Sequence, residues 1–321
     1  MNDILNWHNA AYSHLIKFKD KLPHAILIHG ARGLGKRALA LNFIYGLLCQ
    51  NRSADNTPCG KCQSCSLLDQ ISHPDFLHLK DESEDETKKT KNITIEQINS
   101  SIEFLSLSPH LGSIKIVFIE DVALLGINSA NAVLKVLEEP PSHALFVLVS
   151  DNLSKVLPTI ISRCHKFRLT LDNQQLATNK SANDKVFDYD FWLNYYEGSP
   201  LFELELNQDQ FNKLIATTTK PSVGNIFALT SEIDGKKVSF AFFIGFMLKW
   251  ASDLASFNLS GKLRYFASYA NQIDQLNKRL NLEQLFALQD QLTTLSRWTN
   301  HPLNYKLQIE NLLLKYQQIF K

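Results

Sequence analysis

The feature that most constrains this chain is a glycine-rich loop that follows a short apolar run and precedes a helix-forming segment. Ala25 to Ile28 reads as a buried strand, and the next residues match G-x-x-x-x-G-K, the phosphate-binding loop. Glycines let the backbone N–H groups face phosphate oxygens, and the following helix adds its positive N-terminal end. This order predicts an α/β domain with a nucleotide site, and the loop residues expected to form it are Gly30, Gly33, Gly35 and Lys36.

The residue after the lysine departs from this motif. The motif carries Ser or Thr there, and its hydroxyl binds Mg²⁺, but this chain carries Arg37. A guanidinium offers no acceptor to a metal ion and adds positive charge where the ion would lie. The sequence thus allows ATP binding and puts ATP hydrolysis in doubt.

Two further apolar runs predict strands that end in polar side chains. Ile116 to Ile119 is followed by Glu120 and Asp121, and a run from 144 to 149 is followed by Ser150. Ligands of open α/β sheets collect where strands end, so the two carboxylates would hold a nucleotide's Mg²⁺. Ser150 would bond a γ-phosphate or an attacking water, although ordinary strand termination explains it nearly as well. A helix is expected over about 128–137, and 165–169 alternates as a strand does.

Four cysteines near the first helix form a candidate metal site. Cys49 lies a short loop before Cys59, Cys62 and Cys65, and the last three make two overlapping C-x-x-C steps. Four thiolates at this spacing can close a tetrahedron around a structural Zn²⁺. A disulfide, a redox C-x-x-C, an iron–sulfur cluster and four incidental thiols are the alternatives.

Single residues near these motifs are given simpler roles. His73 and His78 are expected at the surface or as capping residues rather than as ligands, and Cys164 is expected to be buried and inert. A capping box from Thr94 to Gln97 predicts a helix start.

Charge and hydropathy limit which classes of function this chain can have. Lys and Arg total 33 against 32 Asp and Glu, so we do not expect strong nucleic-acid binding through bulk charge. We find no run that approaches the roughly 18 apolar residues of a membrane span. The polar start, MND, is unlike a signal peptide. We therefore expect a cytoplasmic chain without membrane contact.

The second half of the chain changes character. The charged run from 81 to 92 reads as a solvated loop, and Gln, Asn and Lys dominate from about 170 to 188. Beyond residue 206 the pattern is helical throughout, with apolar stripes at 240–254, 263–280, 282–298 and 303–320. The fold class predicted for the whole chain is therefore α/β plus all-α.

Several stretches together carry a family resemblance. They are HAILIHGARGLGK (24–36), the four-cysteine insert, IVFIEDVALL, NAVLKVLEEPP, Ser162-Arg163-Cys164, Gly198-Ser199-Pro200 and HPLNYKLQIENLLL (301–314). In this order they resemble the AAA+ subunits of the bacterial DNA polymerase III clamp loader, and in particular the delta-prime family. They span nearly the whole chain.

The resemblance implies a domain plan and partners. A P-loop α/β domain would occupy 1–168 with a zinc module at 49–65, a small helical lid 169–206, and a helical collar 207–321. The implied partners are the gamma or tau ATPase subunits and the delta subunit in a five-subunit ring. Through that complex the chain would help to load the sliding clamp onto primer-template DNA.

By the same resemblance Arg163 is an arginine finger that acts in trans on the ATP site of a neighbouring ATPase subunit. Without the resemblance, the residue type alone would favour a surface salt bridge for Arg163. The match of Ser162-Arg163-Cys164 to the family motif favours the arginine finger instead.

Three positions differ from the ATPase subunits of the family. Arg37 replaces the Ser or Thr, Glu120 and Asp121 stand in the order opposite to Asp-Glu, and Leu201 stands near the place of a lid arginine. Asp121 is one methylene shorter than a glutamate base. We expect a stator without autonomous activity inside the polymerase holoenzyme. The alternatives are an ATP-hydrolysing subunit of the same machine and, from another class, a small-molecule P-loop kinase.

Overall fold

The chain, examined as a computed structural model, divides into two compact units. The sheet unit comprises Met1–Lys180 with Ser199–Leu201, and the helical unit comprises Ser181–Gly198 with Phe202–Lys321. The structure describes residues 5–53, 56–81, 92–171, 188–202, 204–232, 239–296 and 304–320.

The sheet unit is built on a five-stranded parallel sheet. Its strands are β1 (Ala25–His29), β2 (Phe76–Leu79), β3 (Lys115–Ile119), β4 (Ala144–Ser150) and β5 (His165–Arg168), in the spatial order β2-β3-β4-β1-β5. The inner strands are apolar, rich in branched residues and buried, as expected for parallel strands covered on both faces. The predicted strands are confirmed, whereas sequence analysis did not anticipate β2.

Helices cover both faces of this sheet. They are α1 (Asn9–Ile16), α2 (Lys36–Leu48), α3 (Gln63–Asp69), α4 (Ile95–Ser106), α5 (Ile127–Glu138) and α6 (Pro158–Arg163). Ile26 and Ile28 of β1 share a core with α1 and α2, while Leu27 faces the core that α4, α5 and α6 complete. The capping box at the start of α4 is confirmed, with Thr94 and Gln97 bonding each other's backbone N–H groups.

The parallel arrangement gathers the predicted site residues at one edge. The glycine loop follows β1, Glu120 follows β3, and Ser150 ends β4. Because β4 lies between β1 and β3, with His29 beside Ser150 in register, these strand ends are neighbours.

The helical unit confirms the all-α expectation for the described part of the second half. Its helices are α7 (Tyr189–Tyr195), α8 (Gln208–Thr219), α9 (Val223–Glu232), α10 (Phe240–Ser260), α11 (Ala270–Asn277), α12 (Leu282–Ser296) and α13 (Tyr305–Gln318). Trp250 donates from Nε1 to the Tyr316 hydroxyl at 2.7 Å, and that hydroxyl donates to the Thr218 carbonyl at 2.7 Å. This buried chain of hydrogen bonds ties α8, α10 and α13 together.

One predicted helix is shorter than expected. The stripe at 263–280 forms a helix only from Ala270, after a 3₁₀ turn at Ala267–Tyr269. The buried carboxylate of Asp253 accepts the backbone N–H groups of residues 264, 265 and 266 at 3.0, 2.9 and 2.8 Å. These bonds hold the segment outside a helix, which periodicity alone does not reveal.

The expectation that no segment approaches membrane-span length and hydropathy is wrong. Within the described residues, α10 is long and apolar enough to cross a membrane. It has 21 residues, and a stretch of 18 of them has a mean hydropathy of 1.3. Lys249 and Asp253 interrupt its apolar run, so a search for unbroken runs misses it. Of that stretch, 61% is buried among other parts of the chain, as in the core helix of a helical domain.

The predicted three-domain division stays a prediction. The charged run at 81–92 lies outside the described residues except at its two ends, and the polar segment at 170–188 is described only at its margins.

Candidate functional site

The glycine loop adopts a backbone that side chains would disturb. Gly33 and Gly35 have φ values of +83° and +78°, and Gly35 caps the N-terminus of α2. A Cβ at Gly33 would lie 2.3 Å from the carbonyl oxygen of Leu201. The Leu201 N–H donates to the Gly33 carbonyl at 3.0 Å, so the residues after the Gly198-Ser199 pair lie directly on the loop. Leu201, expected near the place of a lid arginine, therefore contacts the loop through its backbone.

Lys36 is held at the mouth of this loop by internal partners. Its side chain is 2% exposed, and its Nζ donates to the carbonyls of Gly30 at 2.9 Å and Ala31 at 2.6 Å. The third partner is Asp151, whose Oδ1 lies 2.6 Å from Nζ. Asp151 comes directly after β4 and is 45% exposed, so a carboxylate stands where a phosphate would meet the lysine.

Arg37 pairs with the carboxylate that was expected to hold Mg²⁺. Arg37 Nη1 lies 2.9 Å from Oε1 of Glu120, and His78 Nε2 lies 3.0 Å from Oε2 of the same group. The hydrogen bond from His78 lowers the pKa of Glu120; burial opposes this and the Arg37 charge adds to it. Glu120 thus keeps its negative charge for two cationic or donor partners.

This donor set does not fit Mg²⁺. The ion prefers oxygen ligands in octahedral geometry, and the position that should supply a hydroxyl supplies a guanidinium. Both oxygens of Glu120 are engaged with nitrogen donors of Arg37 and His78. We therefore derive no step through a metal ion at this edge of the sheet.

His78 is a residue that sequence analysis assigned wrongly. It belongs to β2, its side chain is largely buried, and its ring stacks on Phe118 with centroids 4.8 Å apart. It is neither at the surface nor a cap. The short run FLHL between Pro74 and Lys80 was the signal for this strand, but four residues are too few to stand out.

Asp121 and Ser150 make local contacts. Asp121 Oδ1 accepts the N–H of Ala123 at 3.0 Å, and burial raises its pKa while that hydrogen bond opposes the rise. Ser150 is fully buried, and its Oγ accepts the N–H of Asn152 at 3.2 Å. Both side chains lie at the predicted edge, and both already have backbone partners there.

An N-terminal segment covers the other side of the glycine loop. Trp7 Nε1 and His8 Nε2 both donate to the Leu34 carbonyl, at 3.2 and 2.8 Å. A Cβ at Gly35 would lie 2.7 Å from Leu5 and 2.8 Å from the His8 ring. These contacts join residues 26 or 27 positions apart, so no local sequence pattern reveals the role of Trp7 or His8.

Two buried polar atoms beside the loop stand out. His8 Nδ1 and Ser199 Oγ are shielded from solvent and have no hydrogen-bond partner within the described part of the chain. The His8 ring lies against Gly35, and the Cβ of Ser199 lies 3.2 Å from the ideal Cβ position of Gly33. Such atoms call for an explanation, because a buried polar group without a partner is unfavourable.

The four cysteines come together as predicted. Their Sγ atoms all lie within 4.8 Å of one another, and Cys49 Sγ is 3.8 Å from Cys62 Sγ. A tetrahedral ion with Zn–S bonds of about 2.3 Å separates two sulfurs by about 3.8 Å. All four are free thiols without a disulfide, so the group fits a tetrahedral metal ion.

Backbone N–H groups also point at these sulfurs. Cys59 N donates to Cys49 Sγ at 3.3 Å, Cys62 N to Cys59 Sγ at 3.3 Å, and Cys65 N to Cys62 Sγ at 3.4 Å. The N–H groups of Lys61 and Cys62 lower the pKa of Cys59. Burial raises the pKa of Cys49 and Cys65, and a bound cation would reverse that effect.

His73 forms a hydrogen bond to Ser64, which lies between Cys62 and Cys65 in the sequence. It is buried, its Nε2 donates to Ser64 Oγ at 2.7 Å, and Ser64 Oγ donates to the Leu48 carbonyl at 2.7 Å. His73 Nδ1 accepts the N–H of Asp75 at 3.0 Å. The expectation of a surface position for His73 is therefore wrong, whereas its bond to the Asp75 N–H is a local contact of the capping kind. The ring joins α3 to the loop before β2, and Ser64 in turn bonds the end of α2.

Arg163 ends α6 and is 33% exposed. Its Nη2 lies 2.6 Å from Oε1 of Glu138, and its Nη1 donates to the Thr159 carbonyl at 3.0 Å. Its own carbonyl accepts a hydrogen bond from His24 Nε2 at 3.0 Å. The guanidinium thus forms a surface ion pair within its own unit and is not locked in the core. Cys164, the next residue, is buried as predicted.

Arg163 and the glycine loop lie at opposite edges of the sheet. Arg163 precedes the first residue of β5, the loop follows the last residue of β1, and these parallel strands pair with Ile26 beside His165. A five-residue strand is about 16 Å long. This separation exceeds the reach of an arginine side chain, so Arg163 cannot serve the loop of its own chain.

Comparison with known proteins gives a consistent set of relatives. The sequence model of the family described as DNA polymerase III, delta subunit, matches residues 8–173, which are 166 of the 321 residues. DNA polymerase III subunit delta' of Pseudomonas aeruginosa is 38% identical over 51% of this chain and 48% of its own length. The subunit delta' of Escherichia coli is 32% identical over 58% of this chain and 54% of its own length.

A relative with a different subunit name also matches about half of this chain. DNA polymerase III subunit tau/gamma of Haemophilus influenzae is 35% identical over 49% of this chain and 22% of its own length. This chain therefore spans about half the length of the delta' relatives it matches. Among solved structures, a gamma subunit-related protein of Thermotoga maritima covers 96% of this chain at 19% identity, with a TM-score of 0.49.

Proposed function

This chain belongs to the DNA polymerase III delta subunit family, and we propose that it acts as a delta-prime subunit of a bacterial clamp loader that hydrolyses no ATP itself. It would form a five-subunit ring with gamma or tau ATPase subunits and a delta subunit in the cytoplasm. Within that ring it would help to load the sliding clamp onto primer-template DNA.

The observation that carries the non-hydrolysing role is the pair between Arg37 and Glu120. Its 2.9 Å contact ties up the carboxylate that a magnesium ion would need, and it does so from the position that should supply the metal's hydroxyl ligand. Asp121 supports the same conclusion, because its carboxylate already accepts the Ala123 N–H and is shorter than a glutamate base.

The proposed role of Arg163 in trans is supported by its place on the sheet. It lies at the edge away from its own loop, and among the described residues an ion pair with Glu138 and a bond to the Thr159 carbonyl are what restrain its guanidinium. A partly exposed ion pair contributes about 0.2–1 kcal/mol. An arginine finger contributes a factor of about 10³–10⁵ in rate, or roughly 4–7 kcal/mol. Releasing the pair is therefore a small cost against the proposed gain.

The test is reconstitution of the complex with ATPase subunits, delta, clamp and primed DNA. Arg163→Ala should leave assembly intact on size-exclusion chromatography and lower the stimulated ATPase rate by roughly 10³ or more. Glu138→Gln is the matched control, because it removes the ion-pair partner and leaves the guanidinium; its rate should stay within about twofold. Unchanged turnover in an assembled Arg163→Ala complex would remove the finger role.

A second candidate is an ATP-hydrolysing subunit, which the match to a tau/gamma protein at 35% identity favours. ATP turnover by the isolated chain that is lost in Lys36→Ala would support it. The stator role predicts no such turnover, and it predicts that Lys36→Ala leaves the ATPase rate of the complex unchanged.

We also propose that Cys49, Cys59, Cys62 and Cys65 hold a structural Zn²⁺. Four thiolates leave no open position for chemistry, so the ion would contribute folding free energy rather than catalysis.

A further inference from the structure

The start of α2 keeps the general features of a phosphate site although its metal ligands are gone. The helix has 13 residues, and its N-terminal N–H groups follow a glycine cap rather than a capping side chain in the described structure. An uncapped helix N-terminus attracts anions. Independently, Ser199 Oγ and His8 Nδ1 are buried and have no hydrogen-bond partner among the described residues, and their side chains lie against Gly33 and Gly35. A ligand that carries both an acceptor and a donor would satisfy this hydroxyl and this ring nitrogen.

Arg37 pairs with a carboxylate at the strand end, where the complete motif holds a divalent cation. In that motif the ion lies between the hydroxyl after the lysine and the carboxylate at the strand end. Here the Arg37 guanidinium lies next to the same carboxylate, at 2.9 Å from Glu120. A guanidinium has five N–H donors in a planar fork that matches phosphate, and this side chain is 55% exposed. The bond to Glu120 holds the cation in place and leaves further N–H groups to reach phosphate oxygens.

We propose that this loop binds a nucleoside polyphosphate without a divalent cation, with the Arg37 guanidinium in the place of the metal. Lys36 and the N–H groups of the loop would hold the phosphates, and Arg37 would neutralise the charge that Mg²⁺ otherwise neutralises. The stator role needs no nucleotide in this pocket, so this proposal and the proposed function can fail separately.

Asp151 is the internal competitor for this ligand. Its carboxylate lies 2.6 Å from Lys36 Nζ, so a phosphate must displace it to reach the lysine. Because Asp151 is about half exposed, water can solvate it once displaced. Removing its charge in Asp151→Asn should therefore tighten binding by roughly two- to fivefold.

The experiment is isothermal titration of the full-length chain with ATP, once in EDTA and once in excess MgCl₂, with inorganic tripolyphosphate as competitor. The wild-type chain should bind with Kd values that agree within about twofold in the two buffers, and tripolyphosphate should displace ATP. Arg37→Thr, which supplies the missing hydroxyl and frees Glu120, should lose about tenfold or more in EDTA and regain affinity with Mg²⁺. The control Arg279→Thr, an exposed arginine in the helical unit, should behave as wild type.

Each alternative outcome is decisive. Binding by the wild-type chain only with Mg²⁺, or no binding at millimolar ATP in either buffer, overturns the proposal. So does an Arg37→Thr variant that folds by circular dichroism and keeps its affinity in EDTA. If that variant does not fold, Asp151→Asn decides: tighter binding in EDTA supports the proposal, and unchanged or weaker binding overturns it.

Discussion

The buried pair of Asp75 and Lys115 offers a sharp test of how the sheet unit is held together. Asp75 is fully buried and accepts three backbone N–H groups, from His110 and Leu111 at 2.7 Å and from Gly112 at 3.1 Å. Lys115, also buried, lies 3.6 Å from Asp75 and donates to the Pro74 carbonyl at 3.1 Å. Together these contacts fix the loop that leads into β3.

Asp75→Asn should destabilise this region strongly although the two side chains have the same shape. Both carboxylate oxygens are acceptors, so the amide nitrogen of Asn must face at least one backbone N–H. Lys115 would also keep a buried charge without its partner. Breaking a buried pair in this way costs about 3–5 kcal/mol.

Hydrogen exchange read by mass spectrometry is the suitable assay. The chain has two units, and a single melting curve would combine the unfolding of both. At about 1.36 kcal/mol per power of ten, β3 amides should exchange roughly a hundredfold faster or more in Asp75→Asn. Amides of α10 should be unchanged. Asp274→Asn breaks an exposed pair with Lys278 and should alter exchange by less than about threefold. Asp75→Asn/Lys115→Met should recover part of the loss, since no charge is left unpaired. Less than a tenfold change in Asp75→Asn would refute the reasoning.

Three further predictions concern the loop, its cover and the cysteines. Gly33→Ala should lower the free energy of unfolding by about 1–3 kcal/mol, because φ is +83° and the new Cβ meets the Leu201 carbonyl. The control is Gly126→Ala, where a Cβ meets nothing within 4 Å in the described structure. This variant should melt within a few degrees of wild type. Burial lowers the pKa of His8 from 6.5, so the folded state binds fewer protons than the unfolded state. The contribution of neutral His8 to the free energy of unfolding is therefore present above pH 6.5 and is lost as the pH falls through the pKa that His8 has in the folded state. His8→Gln should therefore show a flatter decline in melting temperature on acidification than His14→Gln, an exposed control. Elemental analysis should find one zinc per chain, retained in Cys164→Ser and absent from Cys62→Ser, and zinc in Cys62→Ser at the wild-type level would contradict the assignment.

Much of the sheet unit could be predicted because its signals are local. The strand before the glycine loop, the strand before Glu120 and the cysteine spacing each lie within a few consecutive residues. Helix starts could be predicted equally well where the sequence has a capping box, as at Thr94. Such patterns reflect backbone geometry, which neighbouring residues largely determine.

The electrostatics of the site could not be predicted, because its partners are far apart in sequence. The absence of a metal-binding hydroxyl at Arg37 is visible in the sequence, but the pairing of Arg37 with Glu120 spans 83 positions and needs the sheet order. His78 was misread because β2 has four residues, and no role was predicted for His8 because its partner carbonyl at Leu34 is 26 residues away. In each case a tertiary contact, rather than local propensity, decides the role of the side chain.

The strand order has a consequence for synthesis on the ribosome. Strand β1 lies between β4 and β5, yet its neighbours are made only after about 115 further residues. At about 5–20 residues per second, the apolar run from Ala25 to Ile28 waits roughly 6–24 s before either partner strand emerges. Nascent chains that stop before residue 144 lack both partners and leave the backbone N–H and C=O groups of this run without a neighbouring strand. We expect the growing polypeptide to be prone to aggregation during this interval, which also sets a lower bound on how soon the phosphate loop can take its final shape.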